Sequence, residues 1–253
     1  MTQKNNIIAI ASGKGGVGKT WLAITLTHLL ARAGRRVLLF DGDIGLANVD
    51  IQLGLTPQYD LSRVFSGKAK LKDIIFTDDE TGFDIVAGRS GSGSLANLPD
   101  ATLRDLQLQL EELAPGYDYI IMDLGAGIEK TIRFLSSIAS RVLMVATDEP
   151  TSITDAYAFI KLCLQQQEPP SVEIIINQAA SQKEGEKTYG SLSKACKSFL
   201  NYEPSLLGVV RKDNKVRDAI RSQKPMLVKS PHSTAATDAA SISIRIMQPQ
   251  KHS

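Results

Sequence analysis

The segment Gly13-Lys14-Gly15-Gly16-Val17-Gly18-Lys19-Thr20 constrains this chain more than any other. It follows the apolar run Ile7–Ala11 directly and opens a helical pattern over Lys19–Ala33. Its spacing is that of a Walker A phosphate-binding loop, in the strand–loop–helix setting which that pattern requires. Glycines let backbone N–H groups curl around phosphate oxygens without Cβ clashes, and the helix N-terminus adds a favourable dipole. Lys19 is placed to neutralise β- and γ-phosphates, and Thr20 to offer a hydroxyl to Mg²⁺.

Further short Ile/Val/Leu-rich runs lie at Val37–Phe40, Phe83–Val86, Tyr119–Met122, Val142–Ala146, Val172–Ile176 and Leu206–Val210. Each is apolar on both faces, as strands of a parallel sheet covered on both sides must be. Helical patterns at Ala101–Leu113, Ile128–Ala139, Ser152–Gln167, Glu184–Leu200 and Asp213–Ser222 alternate with them. This alternation predicts right-handed βαβ crossovers and an α/β fold: a single-domain, doubly wound, mostly parallel sheet with helices on both faces. The domain is expected to span residues 1–247, followed by a polar tail at 248–253. Ligands of such folds bind outside the carboxyl ends of the strands. Arg89–Ser94, with two glycines and three serines after a strand, reads as the most flexible stretch, either a solvated loop or a functional one.

Composition narrows the function classes. A chain of 253 residues suits one large α/β domain, and 43% apolar with 22% charged residues excludes a disordered or fibrous protein. Lys and Arg number 29 against 27 Asp and Glu, so no global field argues for nucleic acid or anionic lipid. No run has the length of a membrane span or a signal sequence, and Cys163 and Cys196 have no partner at ligand spacing. A reduced, cytoplasmic protein is expected. His28, Met144 and Cys163 read as core, His232 and His252 as loop and tail.

Other acids complete the phosphate site. Asp118–Asp123 is an apolar run ending in a carboxylate, the Walker B arrangement, and Asp123 is expected to hold Mg²⁺ through water. Asp41 and Asp43 close the second strand. In extended chain they point to opposite sides, so one can face the metal and the other the attacking water; on spacing alone either reads equally as a loop acid.

Lys14 makes the loop a deviant Walker A, and the chain resembles the MinD/ParA-type ATPases of the SIMIBI class. Residues Asp41–Asp50 are similar to that family's switch I and Asp123–Ile128 to its switch II, with Gly125 where proline is usual. The segment Thr147–Tyr157 is most similar to the FlhG (FleN, YlxH) subgroup, which controls flagellar number and placement. The resemblance runs from about Ile7 to Met226. It implies ATP and Mg²⁺ as cofactors, slow partner-stimulated hydrolysis, and a homodimer sandwiching ATP. In that dimer Lys14 would reach the partner's phosphates, Asp43 would orient the attacking water, and Asp41 with Asp123 would hold the metal's water shell. Asn177 would read adenine, and the segment Gly208–Asp213, including Arg211 and Asp213, would flank it. Binding of the cofactor would then fall to Gly13, Lys14, Gly15, Gly16, Val17, Gly18, Lys19, Thr20, Trp21, Asn177, Arg211 and Asp213. Partners would be flagellar-assembly proteins: an FlhF-like GTPase, a switch-complex component or a transcriptional regulator. Placement would be cytoplasmic, or peripheral at the inner membrane or pole through such partners.

The departures carry expectations too. Trp21 stands where a second Thr or Ser contacts the α-phosphate, so that bond is lost and the indole is expected to pack inward. Arg211 replaces a proline beside the adenine, altering base stacking or selectivity. No Asp-Gln-Ala segment of the kind through which many FlhG proteins contact a partner precedes Ile7. Ile242, Ile244 and Ile246 fall at roughly 0°, 200° and 40° around a helix, which is no apolar stripe, so membrane contact is expected to be weak or absent. Residues 211–253 carry nine Lys/Arg and three Asp. That basic run, Arg211 to Lys229, reads as a solvated face, with nonspecific DNA or an acidic partner as its alternatives. The competing function classes are a ParA-like ATPase that positions DNA or another cargo, and a metabolic P-loop enzyme that forms amides.

Overall fold

The computed structural model describes residues 6–44, 46–88 and 98–248. Arg89–Ser94, Gly45 and the tail beyond Gln248 lie outside the described residues. Strands β1 (Ile7–Ser12), β2 (Val37–Gly42), β4 (Asp84–Val86), β5 (Tyr119–Ala126), β6 (Arg141–Ala146), β7 (Ser171–Ala179) and β8 (Ser205–Arg211) are parallel, and β3 (Phe76–Thr77) pairs antiparallel with β4. The sheet order is β3-β4-β2-β5-β1-β6-β7-β8. Every apolar run is therefore a strand, within four residues at its ends. Among the described residues only the two-residue strand β3 escaped the reading, because periodicity has nothing to register over so short a span.

Two-residue alternation along the strands divides the core into two layers. Ile7, Ala9 and Ala11 of β1 face one side with Leu38, Phe40, Ile120 and Met122. Helices α3 (Leu61–Phe65), α4 (Asp100–Leu113), α5 (Lys130–Ile138), α6 (Pro150–Leu164) and α7 (Gln182–Leu200) cover that side. Ile8 and Ile10 face the other, under α1 (Lys19–Arg32), α2 (Val49–Leu53), α8 (Asn214–Arg221), α9 (Met226–Lys229) and α10 (Thr234–Met247). The short helices α2, α3 and α9 went unpredicted, since four or five residues complete barely one turn.

His28, Met144 and Cys163 are buried, as expected of core residues. The C-terminal pattern is a core helix: Ile242 and Ile246 of α10 are buried while Ile244 faces solvent. Arg141, paired with Glu173, donates to the Ile246 carbonyl at the end of α10 at 3.0 Å. This supplies a cation to the negative end of the helix dipole. Among the described residues no helix is long and apolar enough to cross a membrane.

Candidate nucleotide site

The sheet order places β2, β5 and β1 side by side, so their carboxyl ends deliver Asp41, Asp123 and the glycine loop to one edge. Asp41 is in register with Asp123, and Asp123 with Ile10 just before the loop. The loop has a close wall on each side. A Cβ on Gly13 would lie 2.4 Å from the Asp155 carbonyl carbon, because α6 packs against the loop there. Gly18 has a φ of 85° and leaves room for the Asn177 amide, 2.5 Å from where a Cβ would sit. A cleft of about 470 Å³ opens over the loop, and Lys14, Lys19, Thr20 and Asp43 line it.

Lys19 is buried and its ammonium lies 3.2 Å from Asp123 Oδ1. Asp123 Oδ2 is buried and, among the described residues, has no hydrogen-bond partner, an arrangement that costs free energy unless a further group satisfies it. Asp41 is fully buried and accepts from the backbone N–H groups of Asp43, Asn48 and Val49 at 3.1–3.2 Å. It thereby folds the switch I segment back onto β2. Burial, and then the neighbouring Asp123 charge, push the Asp41 carboxyl up to about 8. Burial also raises Asp43, against the opposing pull of Lys19. Asp43 lies beside Gly125 of switch II, its Oδ1 3.1 Å from where a Cβ on that residue would sit. A cation here would relieve both the orphaned oxygen and the crowded carboxylates. Among the described residues no cluster of three His, Cys, Asp or Glu side chains forms a metal cage. The orphaned Asp123 oxygen and the adjoining carboxylates fit Mg²⁺, which keeps several waters and shares its shell with phosphates.

Lys14 stands at the rim. Its ammonium ion-pairs with Glu149 and lies 3.1 Å from Thr151 Oγ1, both at the start of α6. On the opposite side the cleft continues into a second cavity of about 530 Å³, which shares Gly16, Gly18 and Trp21 with the first. Asn177 and Gln178 leave β7 there, Gln178 with a φ of 58°, and brace the loop. Asn177 Nδ2 donates to Val17 O at 2.7 Å and Gln178 Nε2 to Gly16 O at 3.1 Å. Asp213 caps α8 through the Lys215 N–H and also accepts from the Ala235 N–H of α10. Trp21 is buried against the α1 side of the sheet, as expected from its helical position, and its indole N–H has no partner among the described residues.

Residues 8–226 match the CobQ/CobB/MinD/ParA nucleotide binding domain. The chain belongs to this family. It is 37% identical over 230 residues to the antiactivator FleN of Pseudomonas aeruginosa, covering 91% of this chain and 82% of FleN. It is 35% identical over 218 residues to the flagellum site-determining protein YlxH of Helicobacter pylori, covering 86% and 73%. The fold is that of the septum site-determining protein MinD complexed with Mg-ADP from Pyrococcus horikoshii, with a TM-score of 0.82, 24% identity and 96% of each chain covered. The resemblance read from the loop and switch segments is borne out, and with it the activity: this is a MinD/ParA-type ATPase.

Several residues beside this MinD/ParA site escaped the sequence reading. Glu149 and Thr151 lie within the segment Thr147–Tyr157 that pointed to the FlhG subgroup, yet their contact with Lys14 requires knowing that α6 packs on the loop. Gln178 followed Asn177 without a motif of its own. Asp238 had a legible signal: it interrupts the small apolar face Ala235, Ala239 and Ile242 of α10, and an acid in such a place needs a partner.

Proposed function

We propose that the protein is an FlhG-like regulator of flagellar number or placement, a switch that dimerises with ATP and resets by slow hydrolysis. The buried Lys19–Asp123 pair beneath a glycine cradle, with Asp43 in the same cleft, supports this most directly. Kinship with FleN and YlxH supports the flagellar role. ATP enters with its phosphates over Gly13–Thr20, and Lys19 turns from Asp123 toward the β- and γ-phosphates. Thr20, Asp41 and Asp123 would hold Mg²⁺, which would supply positive charge to the phosphate oxygens. Asp43 accepts a hydrogen bond from the attacking water and sets its line of approach. Lys14 leaves Glu149 and crosses to the phosphates of a second copy, adding positive charge where negative charge develops. Asn177, Arg211 and Asp213 form the base side.

Hydrolysis depends almost wholly on positioning, so an unassisted switch turns over slowly and a partner that orders it accelerates it. The expected partners are flagellar-assembly proteins, and α10, with Ile242 and Ile246 turned into the core and only Ile244 of the three outside, offers a membrane little to hold. Two measurements test the reading. Phosphate release by the wild type should disappear in Lys19→Ala; equal rates would contradict the site. Deleting the gene in its own flagellated host should change the number or position of flagella; an unchanged pattern would leave an ATPase with a different cargo.

A further inference from the structure

The helix α2 at the end of the switch I segment has five residues, of which Val49 and Leu53 are buried. One turn of helix has little stability of its own, so the groups that grip its two ends decide where it sits. At the first end Asp41 Oδ2 accepts the Asn48 and Val49 N–H groups, both at 3.1 Å. At the other, the Ile51 carbonyl accepts from Gln223 Nε2 at 3.0 Å, across 172 residues of chain. Gly54, with a φ of 66°, ends the helix against the same residue: a Cβ there would lie 3.1 Å from Gln223 Cβ.

Gln223 makes this contact from a strained position. Its φ is 51°, in the left-handed region that glycine or asparagine normally fills after a helix. Its N–H donates to Ile220 O and the Lys224 N–H to Ala219 O, both at 3.1 Å, the paired bonds of a Schellman turn that closes α8. Glycine would serve that turn better, so the turn does not account for a glutamine; the reach of its amide to α2 does. Lys224 ion-pairs with Glu80 at 3.2 Å and ties the same corner to the loop between β3 and β4.

The corner joins two walls. Asn48 and Gln52 line the phosphate cleft, Val216 and Arg217 of α8 line the second cavity, and Ile220 lines both, whereas Gln223 lines neither. Asp43 lies in the loop that Asp41 closes, since that carboxylate takes the Asp43 N–H at one end and those of Asn48 and Val49 at the other. A shift of α2 therefore moves one end of the loop that carries Asp43.

We propose that Gln223 is a positioning residue for hydrolysis: by tethering α2 to the end of α8 it holds the loop that sets Asp43 against the attacking water. This rests on the role given to Asp43 above and adds to it a residue outside both cavities.

The test uses two variants of the full chain. Gln223→Gly keeps the left-handed turn and removes the tether, so it should fold and melt close to the wild type. Gln223→Met keeps the length and loses the donor. In both, without nucleotide, amide hydrogen exchange over residues 51–55 should quicken. Single-turnover phosphate release should fall roughly three- to tenfold, the contribution of one neutral hydrogen bond, while Mg-ATP affinity by calorimetry stays within about twofold. A residue that only stabilises the fold would shift melting without separating rate from affinity. If Gln223→Met does not fold, Gln223→Gly alone decides. Phosphate release at the wild-type rate in Gln223→Gly, affinity falling as far as the rate, or unchanged exchange over residues 51–55 would each overturn the proposal. Asp43→Ala releasing phosphate at the wild-type rate would instead overturn the role of Asp43 on which it rests.

Discussion

Lys14 and Lys19 sit in one loop, each facing a carboxylate, and their surroundings differ completely. The Lys19 side chain is 8% accessible and that of its partner Asp123 1%, whereas Lys14 and Glu149 are 39% and 58% accessible. A buried pair cannot be broken without leaving an uncompensated charge, which costs about 3–5 kcal/mol. On the proposed function, that cost is what an arriving phosphate would offset. An exposed pair contributes about 0.2–1 kcal/mol and is screened by salt. Lys14 is moreover held near the N-terminus of α6, where the helix dipole disfavours a cation, and Glu149 and Thr151 offset this. One lysine is buried in its ion pair and the other is exposed at the rim. That division suits a switch in which nucleotide binding and dimerisation are separate events.

The largest effect is expected at the buried end. Lys19→Ala should weaken Mg-ATP by about a hundredfold or more, since truncating one partner of a buried charge pair typically costs about 2–5 kcal/mol. Calorimetry reads this directly, and affinity within a few-fold of wild type would break the comparison there. Asp43→Ala should keep ATP affinity within a few-fold while phosphate release falls about a hundredfold or more, as for loss of a residue that acts on the proton of the nucleophile.

At the rim, Lys14→Ala should change thermal stability by less than about 0.5 kcal/mol and retain ATP, because its pair is exposed. The same variant should remain monomeric with ATP in sedimentation, and a stable ATP dimer would contradict the cross-subunit role. Glu149→Gln is the smallest change: releasing Lys14 should strengthen ATP-dependent dimerisation roughly two- to tenfold, with the gain shrinking as salt is raised. A weaker dimer instead would mean that Glu149 aims Lys14 at the partner.

Much of this was legible in the chain. Strands buried on both faces carry a continuous apolar signal, so each run of four or more residues was read, and the glycine loop brought its own context. Asp41, Asp43 and Asp123 converge because the strand order β2-β5-β1 follows from crossover rules that motifs presuppose but do not display. The contacts of Lys14 with Glu149 and Arg211 with Asp238 span 135 and 27 residues and join elements from different parts of the sheet. Nothing local encodes them. Only the interrupted apolar face of α10 hinted at the second.

The proposed switch requires that ATP, and not ADP, join two copies of this chain. Light scattering on Asp43→Ala, which should hold ATP without consuming it, tests it most directly. The mass should double with Mg-ATP and stay that of one chain with Mg-ADP. One mass in both nucleotides, with ATP binding confirmed by calorimetry, would contradict it.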